Sequence, residues 1–259
     1  MKEYIGNGWK KLLQLNSLDS FDSIWELEAG WFEEPNQRRG GWSGVSRISL
    51  LTECGDSVGV FLKRQENHNT KVWNSPLKGI PTFYKEFKNI LQFVERDIPT
   101  VEPVYFSYRY KAGKSQAILM TKELEGFEPL SSKIYERNSA LMQDRVKCEQ
   151  MMEAVAGGVR KMHDFRFQHN CLYDKHIFVR LVRNSWEVKF IDLEKLSRCF
   201  FQKQAVMRDF YTLTRHVTGW RRSDRVKFLK IYMQEEKLSP KSKSIWREIH
   251  NKMKAKNKF

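Results

Sequence analysis

Three features of the chain have types and an order that suit phosphate chemistry. The first is "RRGGWSGVSR", where Gly40, Gly41 and Gly44 supply a flexible turn ahead of a strand. Glycine lets a backbone come close to a phosphate because no Cβ stands in the way. The second is Lys63, which closes "VFLK" on the returning strand and offers those phosphates a cation. The third is Glu86 in "FYKEF" on the next helix, a carboxylate that can orient the lysine. Each alone is ordinary: a glycine hairpin is most often just a turn, and a surface lysine–glutamate pair is the common fate of such residues. In this order they reinforce one another. A fourth stretch, "HNCLYDKHIFVR" from His169 to Arg180, packs polar groups densely between a helical segment and an apolar strand.

The elements that must position these residues can be read from periodicity. Residues 20–28 predict a short helix with Asp22 and Ser23 near its start. "PNQRRGGWSGVSRISLLTECGDSVGVFLKRQ" reads as strand, turn, strand, with Val45 to Leu51 as the first run and a hairpin turn at Cys54-Gly55-Asp56. A helix over 82–95 follows from Phe83, Phe87, Ile90, Leu91 and Val94 at helical spacing. Another hairpin turns at Ala112-Gly113-Lys114. After Gly126 the pattern changes. Residues 141–163 predict one amphipathic helix with Met152, Val155, Ala156, Val159 and Met162 on one face. Strands "HIFVRLV" and "WEVKFIDL" meet at a turn through Arg183-Asn184-Ser185, and the remainder is helical. The expectation is an α+β chain, with a β-rich lobe over 1–125 and a helical lobe over 126–259.

The chain has 259 residues, 41% of them hydrophobic and 13% aromatic, enough for a core. No stretch approaches the roughly 20 apolar residues that span a bilayer, and the first residues lack the apolar run and cleavage site of a signal peptide. Cys54, Cys148, Cys171 and Cys199 have no CxxC spacing, so they read as reduced cytosolic thiols. The net charge of +15 predicts attraction to something anionic: nucleic acid, a membrane, or a phosphorylated small molecule or lipid. The alternative is a basic but inert surface.

In "NQRRGGWSGVSR", "CLYDKHIFVR" and "FIDLEK", and over about residues 20–235, the chain resembles the bacterial lipopolysaccharide kinase family, the InaA and WaaP group, within the protein kinase-like superfamily. The resemblance implies a bilobal protein kinase-like fold that binds ATP and Mg²⁺ between its lobes and acts on a lipopolysaccharide core sugar. Lys63 matches the strand lysine and Glu86 the helix glutamate. Thr121 to Leu124, in "ILMTKEL", falls where a hinge holds adenine. Asp192, in "KFIDLE", takes the place of the first Mg²⁺ ligand. A carboxylate ending an apolar run is costly to bury unpaired, and a metal relieves that cost; the plainer alternative is an exposed strand-end aspartate.

A kinase catalytic loop reads H-R-D, four residues, then N. By resemblance His169 takes the histidine position and Asn170 that of the arginine. Cys171 stands in place of the catalytic aspartate, and His176 in place of the metal-binding asparagine. Asp174 and Lys175 are then the substitutes expected to reach the acceptor hydroxyl and the transferring phosphoryl. His163 reads as a structural helix-end histidine, and Asp209 as the aspartate that pins the loop from the next helix. With Asn170 for arginine, the loop has no group to hold an activation-loop phosphate.

Three functions follow. The leading one is an ATP-dependent kinase of a lipopolysaccharide core sugar or a related small molecule or anionic glycolipid, cytoplasmic, with peripheral contact with an anionic inner membrane. Cys171 favours the alternative, a pseudokinase that binds nucleotide or a partner without transfer. The third, a nucleic-acid-binding protein using the lysine-rich tail, lacks a reader motif.

Overall fold

The computed structural model describes residues 3–38, 40–72, 75–136 and 138–255. The chain divides into two compact units: residues 1–95 with 101–125, and residues 96–100 with 126–259.

The first unit is built on a six-stranded antiparallel sheet. Its strands are β1 (Glu3–Ile5), β2 (Trp31–Arg38), β3 (Gly41–Leu51), β4 (Ser57–Glu66), β7 (Pro103–Lys111) and β8 (Lys114–Lys122), in the order β1-β7-β8-β4-β3-β2. A small hairpin of β5 (Asn69–Val72) and β6 (Ser75–Pro81) forms a separate two-stranded sheet. Side chains alternate across each strand. Val60 and Leu62 of β4, with Ile118 and Met120 of β8, are fully buried against Trp9 and Leu13 of α1 (Trp9–Leu15) and Ile24 of α2 (Phe21–Glu26). Lys63 lies on the opposite face, opposite Val45 and Leu119.

The helix α3 (Thr82–Glu95) has the predicted bounds. Its buried stripe runs through Phe83, Phe87, Ile90 and Phe93, and Phe87 stacks on Phe106 of β7 at 4.4 Å. Val94, expected on that stripe, is 52% exposed, because Phe93 falls on the stripe in its place. Two further differences concern local chemistry. The amphipathic α1 had not been expected from the sequence. Gly41 and Gly44 lie within β3, so of the three turn glycines only Gly40 is in the turn.

The second unit carries α4 (Ala140–Gln143), α5 (Arg145–Asp164), α6 (Gln202–His216), α7 (Arg222–Met233) and α8 (Pro240–Lys254). The single helix expected over 141–163 is broken at Asp144, whose Oδ1 accepts from the Val146 and Lys147 amides at 3.1 Å. An aspartate there caps α5 more favourably than it continues α4. The strands are β9 (Glu128–Pro129), β10 (Phe167–Gln168), β11 (Ile177–Val182), β12 (Ser185–Phe190) and β13 (Ser197–Arg198). β11 lies between β12 and β9, and β10 pairs with β13. Residues 96–100 join this unit through Thr100, whose hydroxyl donates to the Phe190 carbonyl at 3.0 Å. No helix among the described residues is long and apolar enough to cross a membrane. Lys256 and Lys258 of the lysine-rich tail lie outside the described residues.

Candidate active site

In the first unit, Lys63 Nζ lies 2.7 Å from Glu86 Oε1, with the two side chains 21% and 6% exposed. A pair this far out of water depends on both members, since removing one strands a buried charge. Gln65, two residues along β4, sets the register. Its Oε1 accepts from the Phe83 amide at 3.0 Å and the Thr82 hydroxyl at 2.7 Å, while Nε2 donates to the His68 carbonyl at 2.7 Å. The first amides of a helix have no partners within it. Gln65 therefore caps α3 from the strand, and Lys63 meets the helix one turn further on, at Glu86.

The three glycines divide by what surrounds them. Gly40 has a φ of +77° and open space where a Cβ would stand. A Cβ on Gly41 would meet the Glu66 carbonyl oxygen at 2.0 Å, and one on Gly44 would meet the Trp31 ring at 2.4 Å. The chain's own packing therefore requires glycine at 41 and 44, whatever binds nearby. Thr121 is buried within β8, paired with Phe61 and Pro103. The next two amides, of Lys122 and Glu123, donate to the Glu102 and Gly59 carbonyls at 2.9 Å. Leu124 follows beyond the end of the strand.

In the second unit the loop after β10 is held by Asp209 of α6, which is fully buried. Its Oδ2 accepts from the His169 amide at 2.7 Å and its Oδ1 from the Asn170 amide at 2.9 Å. His163, closing α5, directs Nε2 to Oδ2 at 3.1 Å, and its Nδ1 lies 2.9 Å from the Tyr232 hydroxyl of α7. One carboxylate thus ties the loop to α6 and α5, and His163 carries the link on to α7. Asn170 and Asp192 adopt left-handed backbone, with φ of +67° and +59°. Such backbone costs most residues about 1–2 kcal/mol, and Asn and Asp tolerate it best. The Asn170 side-chain amide donates to the Lys195 carbonyl and the Ser197 hydroxyl, both at 2.9 Å, so it clips the loop to the segment after Asp192.

His169 is fully buried and its Nε2 donates to the Ile191 carbonyl at 3.1 Å. Burial holds its pKa below the ordinary histidine value, so the ring is neutral. His176 Nδ1 lies 2.9 Å from the Cys171 carbonyl, which only accepts, so this nitrogen carries the proton. Its Nε2 faces Asp192 Oδ2 at 3.5 Å. In the neutral ring two lone-pair groups then face each other, and a proton or cation there relieves the repulsion. Cys171 is 4% exposed; burial pushes its thiol up, with the nearby ammonium of Lys195 opposing the shift and Asp192 adding to it. Asp174 is buried and accepts from the Lys175 amide at 2.9 Å, while Lys175 is exposed. The unit thus brings His169, Cys171, His176 and Asp192 together and leaves Lys175 at the surface.

Mg²⁺ takes oxygen ligands and keeps several waters or phosphate oxygens. The Asp192 carboxylate, 41% exposed, fits as one such ligand. The imidazole of His176 does not suit a magnesium shell; its Nε2 suits accepting from a bound water, and it donates to the carboxylate only when the ring carries a second proton. No three ligating groups converge among the described residues, so an ion here would need phosphate oxygens to complete its shell.

The sequence profile of the lipopolysaccharide kinase (Kdo/WaaP) family matches residues 22–232. The chain belongs to this family. Protein InaA of Escherichia coli (strain K12) is 32% identical over 202 residues, 77% of this chain and 88% of that one. A solved structure, WaaP in complex with acyl carrier protein, matches with a TM-score of 0.66 at 19% identity, over 99% of this chain and 98% of that chain. The likeness establishes a protein kinase-like fold. The matched stretch of this lipopolysaccharide kinase family member holds every site residue above, and α8 lies beyond it.

Sequence reasoning missed four residues of the site. Gln65 and Lys195 act through partners that no local pattern reveals. Phe61 shares the Lys63 face of β4 and meets Phe32 edge to face at 5.2 Å, with Phe32 60% exposed. The alternation along "VGVFLKRQ" was the available signal for Phe61, since it stands two residues before Lys63.

Proposed function

We propose that this chain transfers phosphate from ATP to a sugar of the lipopolysaccharide core, or to a related anionic glycolipid, at the cytoplasmic face of the membrane. The observation that carries this reading is the Lys63–Glu86 pair, a cation held at a fixed place by a buried carboxylate and a strand-borne helix cap. Lys63 would hold phosphate oxygens of ATP, with the backbone at Gly40 beside them. The rings of Phe61 and Phe32 would offer the adenine an apolar face, and Thr121 to Leu124 its polar edge. Asp192 would hold Mg²⁺, and the unprotonated Nε2 of His176 would accept a hydrogen bond from a water of that ion's shell. Bound Mg²⁺ supplies positive charge against the transferring phosphoryl group. His169 and Asp209 would keep the loop in shape, and the +15 charge suits a phosphate-rich acceptor beside an anionic leaflet.

Cys171 favours a second reading. A buried thiol with a raised pKa stays protonated near neutrality and takes no proton from an acceptor hydroxyl. Transfer through a loose transition state rests mainly on positioning and electrostatics, and a general base adds roughly 10²–10⁴-fold. The missing base would slow transfer without forbidding it, and Asp174 is the remaining carboxylate of the loop. Without transfer, the same site is a nucleotide-binding pseudokinase. Two measurements separate these readings: the melting shift with ATP and Mg²⁺, and phosphate transfer to purified core oligosaccharide. Shift and transfer together support the kinase. A shift without transfer leaves the pseudokinase, and no shift removes both.

A further inference from the structure

We propose that the turn at Phe200 and Phe201 inserts into the interface of an anionic lipid bilayer and docks the second unit there. Phe200 is 90% exposed and Phe201 68%, next to each other on the turn between β13 and α6. Phe165, 42% exposed, stands on the segment that is hydrogen-bonded to this turn. Hydrogen bonds tie the two segments together: Arg166 to the Phe200 carbonyl at 2.7 Å, the Cys199 amide and thiol to the Arg166 carbonyl at 2.9 and 3.4 Å, and Gln202 to the Asp164 carboxylate at 2.7 Å. The turn is therefore a braced projection that holds its rings out of the protein.

Apolar surface presented to water in a block is characteristic of an interaction site. The charge around this block names the occupant. Arg166, Arg198, Lys203 and Arg208 are all exposed in the two segments or on the first turns of α6. The guanidinium of Arg96 lies 5.9 Å from the centre of the Phe165 ring. Asp164 is the acidic group of the two segments, and Gln202 hydrogen-bonds it; Asp97, beside Arg96, is paired with Lys161. Aromatic rings ringed by cations match the boundary of an anionic leaflet, where the rings enter the headgroup region and the cations meet lipid phosphates. The turn also lies close to the chemistry in the chain, since Ser197 of β13 accepts from Asn170 in the loop that carries Cys171. The reading takes from the proposed kinase only that its acceptor is lipid-anchored, and it needs no nucleotide.

The test is co-sedimentation of the full chain with phosphatidylglycerol-containing vesicles and with pure phosphatidylcholine vesicles, without ATP. The wild type should pellet with the anionic vesicles. Phe200→Ser with Phe201→Ser should lower the partition coefficient on the order of ten- to a hundredfold, and Arg198→Glu with Lys203→Glu by a similar factor. Lys252→Ala with Lys254→Ala on α8 should change it only a few-fold. The melting shift with MgATP should be the same in the serine variant as in the wild type, which keeps failure of docking distinct from failure of the kinase reading. If the serine variant melts low, Phe200→Trp with Phe201→Trp decides: retained or tighter binding supports insertion, and loss overturns it. Unchanged pelleting of a folded serine variant, or equal binding to neutral vesicles, overturns the proposal. So does a wild type that ignores vesicles but self-associates through these rings.

Discussion

The lysine on β4 and the loop from His169 to His176 are held in opposite ways. In the first unit the site is a charge pair: Lys63 and Glu86 hold each other, and Gln65 sets their register by capping α3. Identity matters there, because each side chain is itself the partner that holds the other. In the second unit the site is a backbone shape. Asp209 holds two consecutive loop amides, Asn170 clips the loop to the segment after Asp192, and His169 donates to the Ile191 carbonyl. None of these bonds uses the side chain at 171. The loop's shape therefore does not depend on the cysteine, and that position offers the loop no carboxylate. The lesson is that a loop pinned through its amides can keep its geometry while its chemistry changes.

The sharpest way to break that comparison is Cys171→Asp. If the loop keeps kinase geometry, the new carboxylate should raise transfer or ATP hydrolysis by up to roughly 10²–10⁴-fold. Steady-state turnover beside Asp174→Asn reads the answer: loss at 174 with no gain at 171 moves the base to Asp174. No turnover in any variant that still binds MgATP leaves the pseudokinase.

Next in size is Asp209→Ala, which strands two loop amides and the His163 ring nitrogen together. At about 1–3 kcal/mol for each unsatisfied buried group, partly relieved by water, the expected loss is about 3–5 kcal/mol. Urea denaturation measures it, and a loss under about 1 kcal/mol would mean the loop does not depend on this clamp. Lys63→Ala should weaken MgATP binding about ten- to a hundredfold, the worth of a charged hydrogen bond to phosphate. Lys254→Ala on α8 should leave it unchanged, and equal affinities in the two variants would remove Lys63 from the site. Asn170→Ala should cost about 1 kcal/mol by releasing the clip to Lys195 and Ser197.

The smallest effect is on pH dependence. Burial lowers the folded pKa of His169 below its unfolded value near 6.5, so the unfolded chain binds the extra proton first. The contribution of His169 to stability is then complete above about pH 6.5 and lost as pH falls through that value towards the folded pKa. Melting temperature should fall on that acid side, and His169→Gln should flatten the fall. A fall of the same steepness in the variant would assign it to other groups.

Much of the frame was legible in the residues. The apolar spacing over 82–95 reports a helix with the observed bounds, and the turns at Ala112-Gly113 and Arg183-Asn184 have positive φ at both residues, which Gly113 and Asn184 favour. The order of Lys63, Glu86 and Asp192 could be read along the chain as well. These signals are local, because periodicity records which face of one element is apolar within a short window. Tertiary structure decided the rest, through partners far apart in sequence. Gly44 is glycine because Trp31 covers it, and Asp144 ends a helix that the periodicity runs through. The His169 and Asn170 amides find Asp209 about forty residues later. His176 divides its two ring nitrogens between the Cys171 carbonyl and Asp192, and only that division shows which nitrogen carries the proton. A hydrogen-bond donor can be read from a residue's type, but its acceptor is chosen only when the chain folds back on itself.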